Sequence, residues 1–158
     1  MPSPTPALKM GELAVCQKGE CLRTLLGSCL GVALYDRRLK LGGLVHVVLP
    51  QSPGPSELPG KYADTAIPEL LRQMRLLARG EPLRTVAKLA GGANMFNSSG
   101  SLATIGEQNI KAVERQLEEW KIPVLARHLG GEQGRRMLLD SATGLVTVEI
   151  AGLEPTVL

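Results

Sequence analysis

Two apolar runs of strand length dominate the first third of the chain, "CLGVALYD" (29–36) and "GLVHVVLP" (43–50), with the basic stretch "RRLK" between them. Aliphatic and β-branched runs bounded by a turn signal predict two strands of a hairpin. Folding the chain back about Arg38 sets Cys29 opposite Val47, with His46 one residue from direct register. A shorter strand is predicted at "GELAVC" (11–16). "PQSPGPSELPG" (50–60) holds four prolines and cannot join a central ladder, so it is a loop. It reads as a surface connection, with the border of a substrate entrance as the alternative.

The pattern then changes period. In "YADTAIPELLRQMRLLARG" (62–80), Ala63, Ala66, Ile67, Leu70, Leu71, Met74, Leu77 and Ala78 follow the spacing of one buried helical face. Asp64 favours its start, Pro68 is expected near the first turn, and Gly80 stops it. "TVAKLAGGANMF" (85–96) predicts a buried strand ending at a Gly-Gly turn. A second helix is predicted over "EQNIKAVERQLEEWKI" (107–122), with Ile110, Val113, Leu117 and Trp120 on its inner face. "PVLARHLGG" (123–131) is a further strand, and "RRMLLDSATGLVTVEI" (135–150) a hairpin turning at "SATG". No internal repeat is present. Strands come in groups rather than alternating with helices, so the class is α+β with mixed sheets, the helices expected over their outer faces.

Composition narrows the function classes. At 158 residues the chain is expected to form one domain, with residues 1–10 as a mobile, proline-rich start. Aromatic residues make up 3%, which gives an aliphatic core and no base-stacking surface. The net charge of +3 is mild and its basic residues are scattered, against a nucleic-acid footprint. The start lacks a basic, then apolar, leader, and no run approaches the roughly 18 apolar residues of a membrane span. The expected compartment is the cytoplasm, with no membrane insertion. Three cysteines, at 16, 21 and 29, are an odd number with poor zinc-site spacing, so reduced thiols are expected and no metal.

One constellation carries candidate chemistry. Cys29 follows Gly27 and Ser28 at the mouth of one apolar run, and His46 lies inside the next. Opposed strand positions lie about 5 Å apart and diagonal ones about 7 Å, so thiol and imidazole come within reach. A one-residue slip decides whether they share a face. An imidazole can shift the thiol–thiolate balance of a neighbouring cysteine, and a backbone N–H of Cys29 or its neighbours could face an oxyanion. From composition alone, Cys29 reads as one more small buried residue and His46 as a satisfied core histidine. Cys16, Cys21 and His128 read as structural.

Six ordered blocks change that balance: "GSCLGVALYD", "GGLVHVVLP", "GKYADTA", "KLAGGANMF", "IGEQNI" and "LGGEQGRR". Their sequence and spacing, from about Glu12 to Ile150, resemble the CheD family of chemoreceptor glutamine deamidases. The resemblance implies a sandwich of mixed sheets flanked by helices, and a cysteine amidohydrolase without metal or organic cofactor. It implies Cys29 as nucleophile and His46 as general base, converting glutamines of chemoreceptor cytoplasmic helices to glutamates with release of ammonia. Some members resemble methylesterases, and a CheC-type phosphatase engages some. The family triad also holds a threonine, normally six residues before the cysteine. That position is Arg23 here, and Thr24 follows it; Thr24 is carried as the third member. Gly27 and Ser28, with Asn94 of "AGGAN" and Gln133 of "LGGEQGR", are candidate oxyanion and substrate contacts, against a structural role for the glycine turns. Asn109 reads equally as a helix-start or turn residue. Two rival functions stay open: a cysteine hydrolase of a small amide or ester, and a silent module that only engages a CheC-type partner.

Overall fold

A computed structural model describes residues 7–55, 58–95 and 104–158; the first six residues, 56–57 of the proline-rich loop and Phe96 of the predicted strand segment lie outside these. The class is α+β, with two mixed sheets of five strands each. The strands are β1 (Ala7–Leu8), β2 (Leu13–Cys16), β3 (Cys21–Leu26), β4 (Leu30–Asp36), β5 (Leu41–Val47), β6 (Val86–Gly91), β7 (Val124–Leu129), β8 (Arg135–Asp140), β9 (Val146–Glu149) and β10 (Thr156–Val157). The helices are α1 (Ala63–Ala78) and α2 (Ile105–Glu119). One sheet runs β2-β5-β4-β6-β7 and the other β1-β3-β8-β9-β10.

The β4–β5 hairpin is the middle of the molecule, and every residue of both strands is buried. Leu30, Val32, Leu34, Val45 and Val47 pack with Ile67, Leu70 and Met74 of α1 and Val113 and Leu117 of α2. Alternate positions, Ala33 and Leu44, pack instead with Leu22, Leu26, Met137 and Leu139 of the second sheet. Strands clothed on both faces read as continuous apolar runs, which is why this hairpin is so plain in the sequence. Each fully buried Leu, Ile or Met of these layers contributes about 1.5–3 kcal/mol.

The hairpin register differs from the predicted one by a single residue, with a large consequence. Leu30, not Cys29, pairs with Val47, and His46 pairs with Gly31. The turn occupies the four residues between the Asp36–Leu41 pair. Buried Asp36 fixes it by accepting the N–H groups of Arg38 and Leu39 through one carboxylate oxygen and that of Arg84 through the other. Because cross-strand partners share a face, Gly31 and His46 both point toward the second sheet. Cys29 lies two residues before Gly31, in the bend that leads into β4.

Other differences have equally local causes. Both helices pack on the first sheet; among the described residues the outer face of the second carries no helix, and Leu25 and Leu138 are exposed. The inner face of α2 is Gly106, Asn109, Val113 and Leu117; the helix ends at Glu119, and Trp120 lies outside it, exposed, with the Arg75 guanidinium over its ring. Pro68 is the sixth residue of α1, a turn later than predicted, and Arg79 adopts the left-handed conformation ahead of Gly80. Strands β1, β3 and β10 are not among the predicted elements.

Gly91 ends β6 where the chain must pass close to Cys29. Its φ is +107°, and a Cβ there would collide with the Cys29 carbonyl oxygen. Gly91→Ala should therefore destabilise the fold by about 2–3 kcal/mol. For a chain of this size that lowers the melting temperature by roughly 5–10 °C. An unchanged thermal unfolding curve would contradict this close approach.

Candidate active site

The site begins with β3, whose alternation turns Leu22, Thr24 and Leu26 inward and Arg23 and Leu25 outward. Thr24 is thus buried, 1% exposed, and points across the gap between the sheets toward His46 on β5. Thr24 Oγ1 lies 2.7 Å from His46 Nδ1 and 2.8 Å from the backbone carbonyl of Leu8. That carbonyl belongs to β1, which the parallel pairing of Leu8 with Thr24 holds in place.

These two distances determine where the imidazole proton sits. The Leu8 carbonyl can only accept, so the single hydroxyl proton of Thr24 is donated to it. The hydroxyl oxygen must then accept from Nδ1–H. The neutral imidazole carries its proton on Nδ1 and leaves Nε2 as a bare lone pair. Nε2 is buried and has no hydrogen-bond partner among the described residues, an unusual state for a buried acceptor. Of the two neighbouring positions weighed for the threonine, Thr24 meets the histidine and Arg23 faces solvent.

Cys29 is 8% exposed, immediately before β4. Burial pushes its thiol up and pulls the His46 imidazole down from their ordinary values. Both shifts favour the uncharged forms over the thiolate–imidazolium pair that a histidine neighbour suggests. Cys16 and Cys21 are free thiols as well, and burial drives Cys16 up to about 12, out of reach for nucleophilic work.

A match to the family model described as "CheD chemotactic sensory transduction" covers residues 48–150. The chain is 45% identical over 143 residues to a "Probable chemoreceptor glutamine deamidase CheD" from Methanococcus vannielii, a match covering 89% of this chain and 92% of that one. Proteins of the same name from Clostridium botulinum strains match at 44% identity, covering 88% of each chain, and at 47%, covering 81% of each. This chain belongs to the CheD family. The family-model match starts downstream of His46, but the match to the methanococcal relative leaves too few residues outside it to miss positions 24–46.

Around the cysteine of this CheD-family chain, three turns are stitched together by backbone bonds. Ala93 N–H donates to the Gly27 carbonyl and Gly92 N–H to that of Cys29, while Asn94 N–H donates to Gly131 and Gly130 N–H to Gly91. Of the candidate substrate contacts, half-buried Gly27 and Ser28 flank the cysteine, and Gly27 lines a cavity of about 700 Å³. Asn94 and exposed Gln133 do not line it; their neighbours Met95 and Gly134 do, with Arg135. Arg135 is buried and acts as a clamp, donating to His128 Nδ1 and to the carbonyls of His128, Gly130 and Gln133. His128 is thereby committed to structure. The proline-rich loop contributes Pro50 and Gln51 to a separate cavity of about 490 Å³ beside α2. Among the described residues, no group of three or more His, Cys, Asp and Glu side chains could hold a metal ion, and no helix is long and apolar enough to cross a membrane.

Sequence reasoning missed the Leu8 carbonyl, the Arg135 clamp and the burial of Asn109. A backbone acceptor leaves no trace in residue identity. The only hint for the other two was polar residues inside otherwise glycine-rich or helical motifs.

Proposed function

We propose that this protein hydrolyses the side-chain amide of selected chemoreceptor glutamines to glutamate, releasing ammonia, with Cys29 as nucleophile, His46 as base and Thr24 as the residue that orients His46. The names of its CheD-family relatives supply the substrate class. The observation that carries the chemistry is the Thr24–His46 hydrogen bond, which leaves Nε2 unprotonated on β5, the strand paired with the one that Cys29 precedes.

Both groups start uncharged, so thiol deprotonation is coupled to attack. As Sγ bonds to the carboxamide carbon, its proton passes to Nε2 and the carbonyl oxygen becomes an oxyanion. His46, now an imidazolium, delivers that proton to the departing nitrogen, and ammonia leaves a thioester on Cys29. His46 then takes a proton from water, the hydroxide displaces the thiolate, and proton return restores thiol and imidazole. The side chains present suffice for each step; no cofactor is required. The cavity beside Gly27, whose walls combine Leu25, Leu26, Met95 and Leu153 with the charged Arg135, Arg136 and Glu149, is the approach offered to a receptor helix in the cytoplasm, although Cys29 and His46 themselves do not line it. A CheC-type phosphatase is a further partner, and glutamyl methyl ester hydrolysis would use the same steps.

Incubation with a chemoreceptor cytoplasmic fragment should yield ammonia and Gln-to-Glu conversion by peptide mass spectrometry. Unmodified receptors across several fragments would favour a silent binding module, and turnover of small amides alone would favour a different hydrolase. Thr24→Val should lower kcat by about 10²-fold with KM unchanged, because the imidazole loses the acceptor that fixes its tautomer. Thr24→Ser, which keeps the hydroxyl, should restore most of it. Equal activity in Thr24→Val would remove Thr24 from the mechanism.

A further inference from the structure

The β4–β5 ladder stops at the Leu30–Val47 pair, one step before the cysteine. The next pair would be Cys29 with Val48, but the Val48 N–H is turned away to the Lys61 carbonyl. At that open end the α2 side chain of Asn109, 0% exposed, reaches in. Its Nδ2 donates to the Val48 carbonyl at 2.9 Å and, at a longer 3.5 Å, to the Ser28 carbonyl. Carbonyls only accept, so the amide orientation is fixed by chemistry: nitrogen toward the two strands' ends, oxygen away. That oxygen is buried without a partner.

With this bond, three consecutive carbonyls ahead of and at the nucleophile each have a donor. Gly27 takes Ala93 N–H, Ser28 takes Asn109 Nδ2, and Cys29 takes Gly92 N–H. Holding a peptide carbonyl also aims the N–H on the other side of the same planar unit. The Ser28 carbonyl shares its peptide with the Cys29 N–H, the nucleophile's own backbone donor. The adjoining Gly27–Ser28 peptide is held the same way.

We infer that Asn109 is a positioning residue: its buried amide splints the open end of the hairpin, joining the base-bearing strand to the nucleophile turn and aiming the Cys29 N–H at the oxyanion. This rests on the deamidase reading of the site. It gives Asn109 of "IGEQNI" a purpose that a helix-start role does not, since the N-cap of α2 is Thr104, whose side chain already accepts the Glu107 N–H. The longer of the two bonds is the one expected to tighten when the oxyanion forms, as catalytic hydrogen bonds often do. Preorganised donors of this kind raise kcat without raising affinity for the ground state.

The test compares Asn109→Ala and Asn109→Ser with wild-type protein on a chemoreceptor cytoplasmic fragment. It also follows Cys29 alkylation by chloroacetamide, an attack that forms no oxyanion. Wild-type turnover tests the deamidase reading by itself; the variants are then read relative to it. In whichever variant retains wild-type far-UV dichroism, kcat should fall by roughly 10–10²-fold while KM and the alkylation rate stay within about threefold. A kcat within threefold of wild type would overturn the inference. So would alkylation falling in parallel with kcat, which would mean that Asn109 only supports the fold around the thiol. Should neither variant fold, Asn109→Asp is read at acid and neutral pH. The protonated acid still has a donor and should retain more of the wild-type rate than the carboxylate; pH-independent loss, after correction for the wild-type profile, would overturn it.

Discussion

Cys29→Ala should abolish receptor deamidation, by on the order of 10⁴-fold or more, while leaving the protein folded. In the proposed mechanism the sulfur is the atom that bonds to the carboxamide carbon, and an alanine methyl cannot substitute for it. Cys16 is buried with its thiol pushed up to about 12, and Cys21 lies at the start of β3, the end opposite to the one that leads to Cys29. The structural cost is small because the change removes a single atom from a site that is 8% exposed, about 1 kcal/mol for a loss of that size. Ammonia release and thermal unfolding, measured on the same sample, separate the two effects. Loss of activity together with collapse of the unfolding transition would show only that Cys29 packs.

His46→Gln is expected to be nearly as damaging, about 10³-fold in kcat, and to erase the acid limb of the pH profile. A positioned base contributes about 10²–10⁴-fold. Only the neutral imidazole can take the thiol proton. Burial lowers the His46 value below the ordinary 6.5, so the base stays competent into mildly acid solution. The acid limb of kcat/KM should therefore have its midpoint below pH 6.5, with activity falling as pH drops through the depressed value. Burial raises the Cys29 thiol, so no thiolate–imidazolium pair should be populated at neutral pH. Alkylation of Cys29 by iodoacetamide should accordingly be slow near pH 7 and accelerate toward alkaline pH. Fast alkylation at pH 5–6 would reveal a preformed ion pair and contradict the neutral resting state.

The parts legible in the sequence are those whose apolar pattern runs unbroken or with a strict period. β4, β5 and α1 carry uninterrupted or strictly periodic hydrophobic positions and lie within a few residues of where the pattern puts them. β3 was hidden because its inward set includes a polar residue, Thr24, and its outward set an apolar one, Leu25, so the period-2 signal is inverted at two of six positions. β1 and β10 are two residues long, shorter than any period can register. Trp120 was misplaced because the helix stops one residue before it, while small Gly106 and polar Asn109 take the inner face near the other end.

The site follows the same division. Cys29 and His46 could be chosen from residue type and the resemblance, but not their relation, because a one-residue slip moves a side chain to the opposite face. Asp36 settles that slip from the turn, through bonds to backbone N–H groups that no residue pattern records. Thr24 could be named from the resemblance, but that its side chain meets the imidazole follows only from β3 running opposite β5 across the gap between the sheets. The imidazole tautomer depends on the Leu8 carbonyl, delivered by a two-residue strand too short for any residue pattern to register.

Rapid quenching of the wild-type protein with a chemoreceptor cytoplasmic fragment, followed by peptide mapping of the covalent species, tests the central claim most directly. A thioester joining a receptor glutamyl side chain to the peptide that contains Cys29, absent from Cys29→Ala, is the predicted result. Receptor deamidation by Cys29→Ala at the wild-type rate, or an adduct mapped to Cys16 or Cys21 in its place, would contradict it.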